Sequence, residues 1–448
     1  MIIQLIWIAL LIVGVTVSLR SLRWGLLYYL IGALIFPVLW VGEIAVRFEL
    51  VYCLWLLFLL FVERTVEGKP LYWHSILSRY GSFLVIVVVA TLITIPVLGE
   101  TDLFAHILSF YGMLRPLLVM LLFSNVSLDE KFLGWALWVF VWLSIPLALL
   151  TVGQSLGIDV AERITLSSYT SPWRTPVFGM MKEIGMILRG TGVFESPVYN
   201  ATYFLFALNL TGFLLVRGHL RPLQHLVLYF SMGLAFAGGI ATLSSTFLVG
   251  LIVSAVLFVL FVWPRYKLRF LRFAVISICI VVFVGFLTLP RLSENSSFAG
   301  PLRYQVERIM SGSVLETRYD PKTGILKDTY QSIMERPIFG WGLNQREGIF
   351  TGDSLFISLL YTSGIIGLIC FLWTILSILM YTAWRRHTRG LYGATNQIIF
   401  LFSLLLLATG VGQPSFFVLR VQECYWALVG MGFNRELRFL YKAGGLEQ

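Results

Sequence analysis

Apolar runs of bilayer length recur along this chain from Ile2 to Gly432, joined mostly by short polar connections. A helix pairs its backbone N–H and C=O groups within its own segment, so each run of about 20 apolar residues can cross hydrocarbon without leaving polar groups bare. About thirteen spans fit, near residues 2–18, 24–41, 45–62, 82–99, 103–124, 132–152, 197–215, 222–240, 242–263, 273–289, 354–383, 398–411 and 416–432. Composition agrees, with 58% of the 448 residues hydrophobic and 12% charged. The expected fold class is an all-α polytopic membrane protein.

Charge sets the expected orientation. No basic residue precedes the first span, whereas Arg20 and Arg23 follow it, which reads as an outside amino terminus rather than a cleaved signal peptide. When the spans alternate, Arg64, Lys69, Arg79, Lys131, Arg217, Arg221, the run Arg265 to Arg272, the trio Arg385, Arg386 and Arg389, and Arg435, Arg438 and Lys442 fall on one side. That side is the cytoplasm. The formal charge of +10 is then a consequence of topology beside anionic lipid, and no nucleic-acid partner is implied. All four cysteines (Cys53, Cys279, Cys370, Cys424) lie in apolar runs, without a CxxC pair or a histidine at ligand spacing. Disulfides, a metal site and other cofactors are not expected.

Two connections on the outer face are long, residues 153–196 and 290–353, and the chemistry is expected there. The resulting layout is 1–152 amino-terminal spans, 153–196 outer loop, 197–289 central spans, 290–353 large outer loop, and 354–448 carboxy-terminal spans with a cytoplasmic tail. Both loops mix acidic and basic residues, the first holding Asp159, Glu162, Arg163, Arg174, Lys182, Glu183, Arg189 and Glu195. "TYQSIMERPIFGWGL" reads as a short amphipathic helix stopped at Pro337 and followed by turn glycines.

"ERPIFGWGL", a polar turn ending in "GDS", and "LFISLLYTSGIIGLICFLW" together resemble the carboxy-terminal signature of the O-antigen polymerase and ligase superfamily. "TRYDPKTGILKDTYQSI" resembles the family's arginine before that turn, which puts Arg318 in that role. "LRGTGVFESPVYNATYF" is similar to its Arg-Gly approach to a central span, which puts Arg189 there. The resemblance covers roughly residues 180–380. One departure separates the branches: "ATLSSTFLVGL" carries Ser245-Thr246 where family ligases carry Ser-Arg, and Asp353-Ser354 stands where ligases keep a histidine dyad. Both differences favour the polymerase branch.

The resemblance implies two periplasmic loops in the bacterial inner membrane and transfer of a growing glycan from undecaprenyl diphosphate to a hydroxyl of another lipid-linked repeat unit. Ligase-type transfer is the alternative, and a lipid or sugar transporter the third reading. A chain-length regulator is an expected partner, together with membrane lipid. The leaving diphosphate needs cations, and arginine forks match phosphate oxygens best. The acceptor hydroxyl needs a base within hydrogen-bond reach. Arg189 and Arg318 are assigned to the diphosphate. Asp353 is assigned as general base, with helix capping as its rival role. Arg115, Arg303 and Arg308 are further phosphate contacts, and Tyr199, Asn200 and Ser354 are sugar contacts. Arg420 and Glu423, one helical turn apart if helix continues there, read as a pair.

Overall fold

The computed structural model describes residues 2–41, 44–98, 103–170, 189–217, 220–267, 269–274, 326–343, 354–388 and 390–443, with isolated positions at 277, 309, 311–312, 319, 324 and 349. It is mostly α-helical. Among the described residues, eight helices are long and apolar enough to cross a membrane: Ile3–Arg20, Ser75–Val97, Ala105–Asn125, Glu130–Ser155, Pro197–Arg217, Pro222–Ala241, Leu355–Arg385 and Gly390–Thr409. This is a multi-pass membrane protein. Leu22–Ile35 and Ser245–Phe261 are apolar but shorter. The expected span at 273–289 lies largely outside the described residues.

Three boundaries differ from the hydropathy reading, each for a local reason. The second run ends as helix at Ile35, two residues before Pro37, whose ring disfavours helix in the residue preceding it. The chain then turns into an antiparallel hairpin, Val38–Val41 against Ile44–Arg47, with Val38 opposite Arg47 and Val41 opposite Ile44. Its β-branched residues favour strand, and hydropathy alone cannot tell them from helix. The next-to-last span begins at Gly390 rather than near 398. Thr395, Asn396 and Gln397 are polar yet buried there. Thr395 and Asn396 donate to the carbonyls of Leu391 and Tyr392, both at 2.9 Å, so the helix satisfies them itself. The last run is broken: a 3-10 turn at Ser415–Phe417 is followed by Val421–Gly432, with Arg420 at φ 69° between them.

The chain forms two compact units. The first comprises Met1–Tyr52, Gly134–Met310 and Leu419–Val421; the second Cys53–Leu133, Ser311–Val418 and Gln422–Gln448. The first is built around Pro197–Arg217, 83% of whose apolar window is buried, against 17% for the peripheral Ile3–Arg20. Pro222–Ala241 and Ser245–Phe261 pack against it. Gly238 admits the Phe204 ring so closely that a Cβ there would lie 2.7 Å from it, the kind of small-residue contact by which helices approach in lipid. The second unit packs Leu355–Arg385 between Ser75–Leu98 and Gly390–Thr409.

Candidate functional site

The long helix Leu355–Arg385 is broken at Gly364, whose φ of 61° and ψ of −167° suit glycine alone. Such a break strips the helix of hydrogen bonds, leaving carbonyls before it and N–H groups after it without helical partners. The segment Pro337–Gly342 supplies them. Trp341 N donates to Tyr361 O at 2.7 Å and Gly342 N to Thr362 O at 2.9 Å, while Ile365 N donates to Pro337 O at 2.9 Å. The segment must come very close to do this. A Cβ on Gly340 would lie 2.5 Å from Tyr361 O, and one on Gly342 would lie 2.3 Å from Thr91 Cα. Thr91 and Thr94 of Ser75–Leu98 fix its other side: Thr91 Oγ1 accepts from Leu343 N at 3.0 Å, and Thr94 Oγ1 donates to Trp341 O at 2.9 Å. The short amphipathic helix expected before Pro337 is Lys327–Glu335, and Trp341 Nε1 donates back to its Ser332 carbonyl at 2.7 Å. "PIFGWG" and "TSGIIG" are therefore two halves of one backbone exchange.

The helix carrying that break starts at Ser354, its N-cap. Ser354 is 1% exposed, with its hydroxyl 3.4 Å from Gly410 O, and Leu355 N donates to Gly410 O at 2.8 Å and Gln413 O at 3.1 Å. Its neighbour Asp353 lies outside the described residues, as do Arg318, Arg303 and Arg308.

In the first unit, residues 189–196 approach the Pro197–Arg217 helix as a polar segment held from several sides. Gln154 Oε1 accepts from Thr191 N and Gly192 N, both at 2.9 Å. Gly190 N donates to Ala241 O at 3.0 Å, and Asn200 Nδ2 bonds Gly190 O at 3.2 Å and Thr151 Oγ1 at 2.9 Å. Gly192 has φ 55°, and a Cβ there would lie 2.6 Å from Thr151 Oγ1. Thus fixed, half-buried Arg189 points its Nε at Thr242 O, 3.2 Å away. Thr242 and Leu243 form the break between Pro222–Ala241 and Ser245–Phe261, with Leu243 at φ 47°. Asn200 is fully buried and its NH2 serves this scaffold, whereas Tyr199 is half-buried.

The same segment carries Glu195, whose carboxylate meets Arg47 Nη2 at 2.5 Å. Arg47 also lies 3.9 Å from Glu49, and both are buried. Sequence reading did not single out Arg47 or Glu49. The signal was available in "EIAVRFE", three ionisable residues inside an apolar stretch, which are costly unless paired. Arg420, read from the sequence as the partner of Glu423, is instead a helix cap. Its guanidinium donates to Leu34 O at 2.7 Å and Phe36 O at 2.9 Å, and the Tyr169 hydroxyl donates to Ile35 O at 2.5 Å. These carbonyls end Leu22–Ile35 and have no helical donors of their own. The left-handed backbone at Arg420 is why the expected i to i+3 pair does not form. Glu423 is bound by Arg115 at 2.6 Å, in a pair exposed by 5% and 1% on the two side chains. Removing one partner of such a pair leaves an uncompensated buried charge.

Two glycine-containing segments, 189–196 and 337–343, are thus each held at a helix break within an apolar helical unit. Residues 230–372 match a family model described as O-antigen ligase, about a third of the chain. This match supports the resemblance to the O-antigen ligase and polymerase superfamily read from the sequence. Comparison with the curated proteins found no match. Members of this family are membrane glycosyltransferase-type enzymes that act on lipid-linked oligosaccharide.

Proposed function

We propose that the protein polymerises undecaprenyl-diphosphate-linked oligosaccharide repeat units of an O-antigen, capsule or exopolysaccharide at the periplasmic face of the bacterial inner membrane. About thirteen spans would carry the loops 153–196 and 290–353 on that face, with the basic clusters in the cytoplasm. The observation that carries the polymerase reading is the start of Ser245–Phe261, where Ser245-Thr246 stands in place of the Ser-Arg of family ligases, together with Asp353 in place of their histidine. Arg189 supports it, because its side chain is held at that same helix break.

In the reaction, the acceptor sugar hydroxyl attacks the anomeric carbon of the donor glycan. A new glycosidic C–O bond forms, the C–O bond to the diphosphate breaks, and undecaprenyl diphosphate leaves with the electron pair. Arg189 and Arg318 hold the charge that grows on the diphosphate, with Arg303 and Arg308 as further cations. Asp353 takes the hydroxyl proton. Tyr199, Asn200 and Ser354 contact the sugars or fix the groups that do, and a chain-length regulator sets product length. Ligase-type transfer is the second reading, favoured by the description of the matching family. Deleting the gene separates the two. Accumulation of a single lipid-linked repeat unit is expected of a polymerase, and accumulation of full-length lipid-linked polymer would assign the protein as a ligase.

A further inference from the structure

At one end of the second unit the helix ends form a polar cavity of about 520 Å³, lined by Arg64, Lys69, Tyr72, Asn125, Arg435 and Phe439 among others. Arg64 ends the Phe48–Val66 helix, Asn125 ends the Leu103–Asn125 helix, and Arg435 starts the short helix Arg435–Ala443. Asn434 fixes this arrangement. Its Nδ2 donates to Phe123 O at 2.9 Å and Val126 O at 2.8 Å, while its Oδ1 accepts from Glu436 N at 3.1 Å as the helix cap.

The charge here is unbalanced. Of the lining residues, Arg64, Lys69 and Arg435 stand against Glu436, which takes the Ser127 hydroxyl; just behind them Glu67 lies 3.2 Å from Lys69, and Arg438 donates to the hydroxyl of lining Tyr72. Four cations and two carboxylates leave a net of +2 around one small cavity. Arg64 donates to Asn125 O, and its buried Nε–H has no acceptor among the described residues. The imidazole of nearby His74 is shifted as well, chiefly by burial. Burial first, then Arg438, Arg385 and Arg79, push it down to about 4.

From this geometry we infer that the cavity binds the phosphate headgroup of an anionic glycerophospholipid. It lies at the ends of membrane-length helices, where headgroups reside. The helix Arg435–Ala443 has two faces: Leu437 is buried against the protein, whereas Phe439 is 64% exposed beside the basic groups. A short helix offering cations and an aromatic ring at a span end suits the interface, with the ring among acyl chains and the cations on phosphate. A soluble anion would use the cations and leave Phe439 bare. By the distribution of basic residues this end faces the cytoplasmic leaflet, so the site stands apart from the glycan chemistry and does not depend on which transfer the enzyme performs.

The test is native mass spectrometry of the delipidated full-length protein with phosphatidylglycerol, phosphatidylcholine or inorganic phosphate as the probe. One phosphatidylglycerol is expected to be retained at least tenfold more tightly than phosphatidylcholine. The double substitution Lys69→Gln and Arg435→Gln should weaken it about thirtyfold, since each basic residue near anionic lipid contributes roughly fivefold. Lys69 has a side chain 59% exposed, so Lys69→Glu serves as a single variant that keeps the fold. Phe439→Ser should weaken the lipid and leave phosphate unchanged. Equal retention of the two lipids, no effect of Lys69→Glu, or full displacement of phosphatidylglycerol by millimolar phosphate would overturn the inference.

Discussion

The segment 337–343 and the segment 189–196 are both glycine-punctuated and threaded into a helix break, the first with apolar side chains and the second with polar ones, and different chemistry holds them. The first trades backbone bonds with backbone: four of its N–H and C=O groups complete the ladder that Gly364 interrupts. The second is held largely by side chains, Gln154, Asn200 and Thr151, reaching in from neighbouring helices. A backbone exchange needs glycines and tolerates no bulk, whereas a side-chain clamp can loosen by degrees. The two segments should therefore fail differently.

The largest effect is expected at Gly342. Alanine there would bring a Cβ within 2.3 Å of Thr91 Cα at a backbone φ of 70°, so backbone must move on one side or the other. Gly342→Ala should leave almost no monodisperse protein after detergent extraction. Ile338→Ala, at a 54% exposed residue of the same segment, should leave the yield unchanged. Normal yield from Gly342→Ala would mean that the exchange does not hold this segment.

Next comes Asp353→Asn, which removes a proton acceptor and keeps the shape. Polymer formed per folded protein should fall roughly a hundred- to ten-thousandfold. Activity within a few-fold of the parent would eliminate Asp353 as the base and shift attention to Glu195, the carboxylate on the other segment.

Arg189→Lys and Arg318→Lys keep charge but lose the planar fork. A loss of about 1.5–3 kcal/mol, or roughly ten- to a hundredfold in rate, is expected at normal protein levels. Full activity from both would reduce them to structural residues. The smallest effect is expected from Gln154→Leu, which leaves the buried N–H groups of Thr191 and Gly192 without their acceptor. Stability should drop by about 1–3 kcal/mol in thermal melts. Activity per folded protein should fall only a few-fold, and a complete loss would show that the clamp does more than position Arg189.

The same difference in chemistry decides how much of each segment was legible in the sequence. Gly340, Gly342 and Gly364 stood out, because a backbone exchange writes its requirement locally as glycine, within a short stretch of chain. The clamp did not, since Gln154 and Arg189 carry no mutual mark in sequence. Arg47 and Glu195 meet across 148 positions, and Arg115 and Glu423 across 308, distances over which only folding selects partners. Hydropathy located helices such as Leu355–Arg385 well because apolar length is what the bilayer demands. It misread Val38–Arg47, where apolar β-branched residues satisfy the same criterion as a hairpin, and it started Gly390–Thr409 too late, where buried polar residues bond within their own helix.

A polymerase must join repeat units to one another without any other acceptor. Supplying the purified protein in lipid with a single substrate, the undecaprenyl-diphosphate-linked repeat unit, tests this without intermediaries. A ladder of lipid-linked oligomers spaced by one repeat is expected, with one undecaprenyl diphosphate released per bond formed. No ladder from single repeat units, alongside efficient transfer of preformed polymer to a different lipid acceptor, would contradict the polymerase reading.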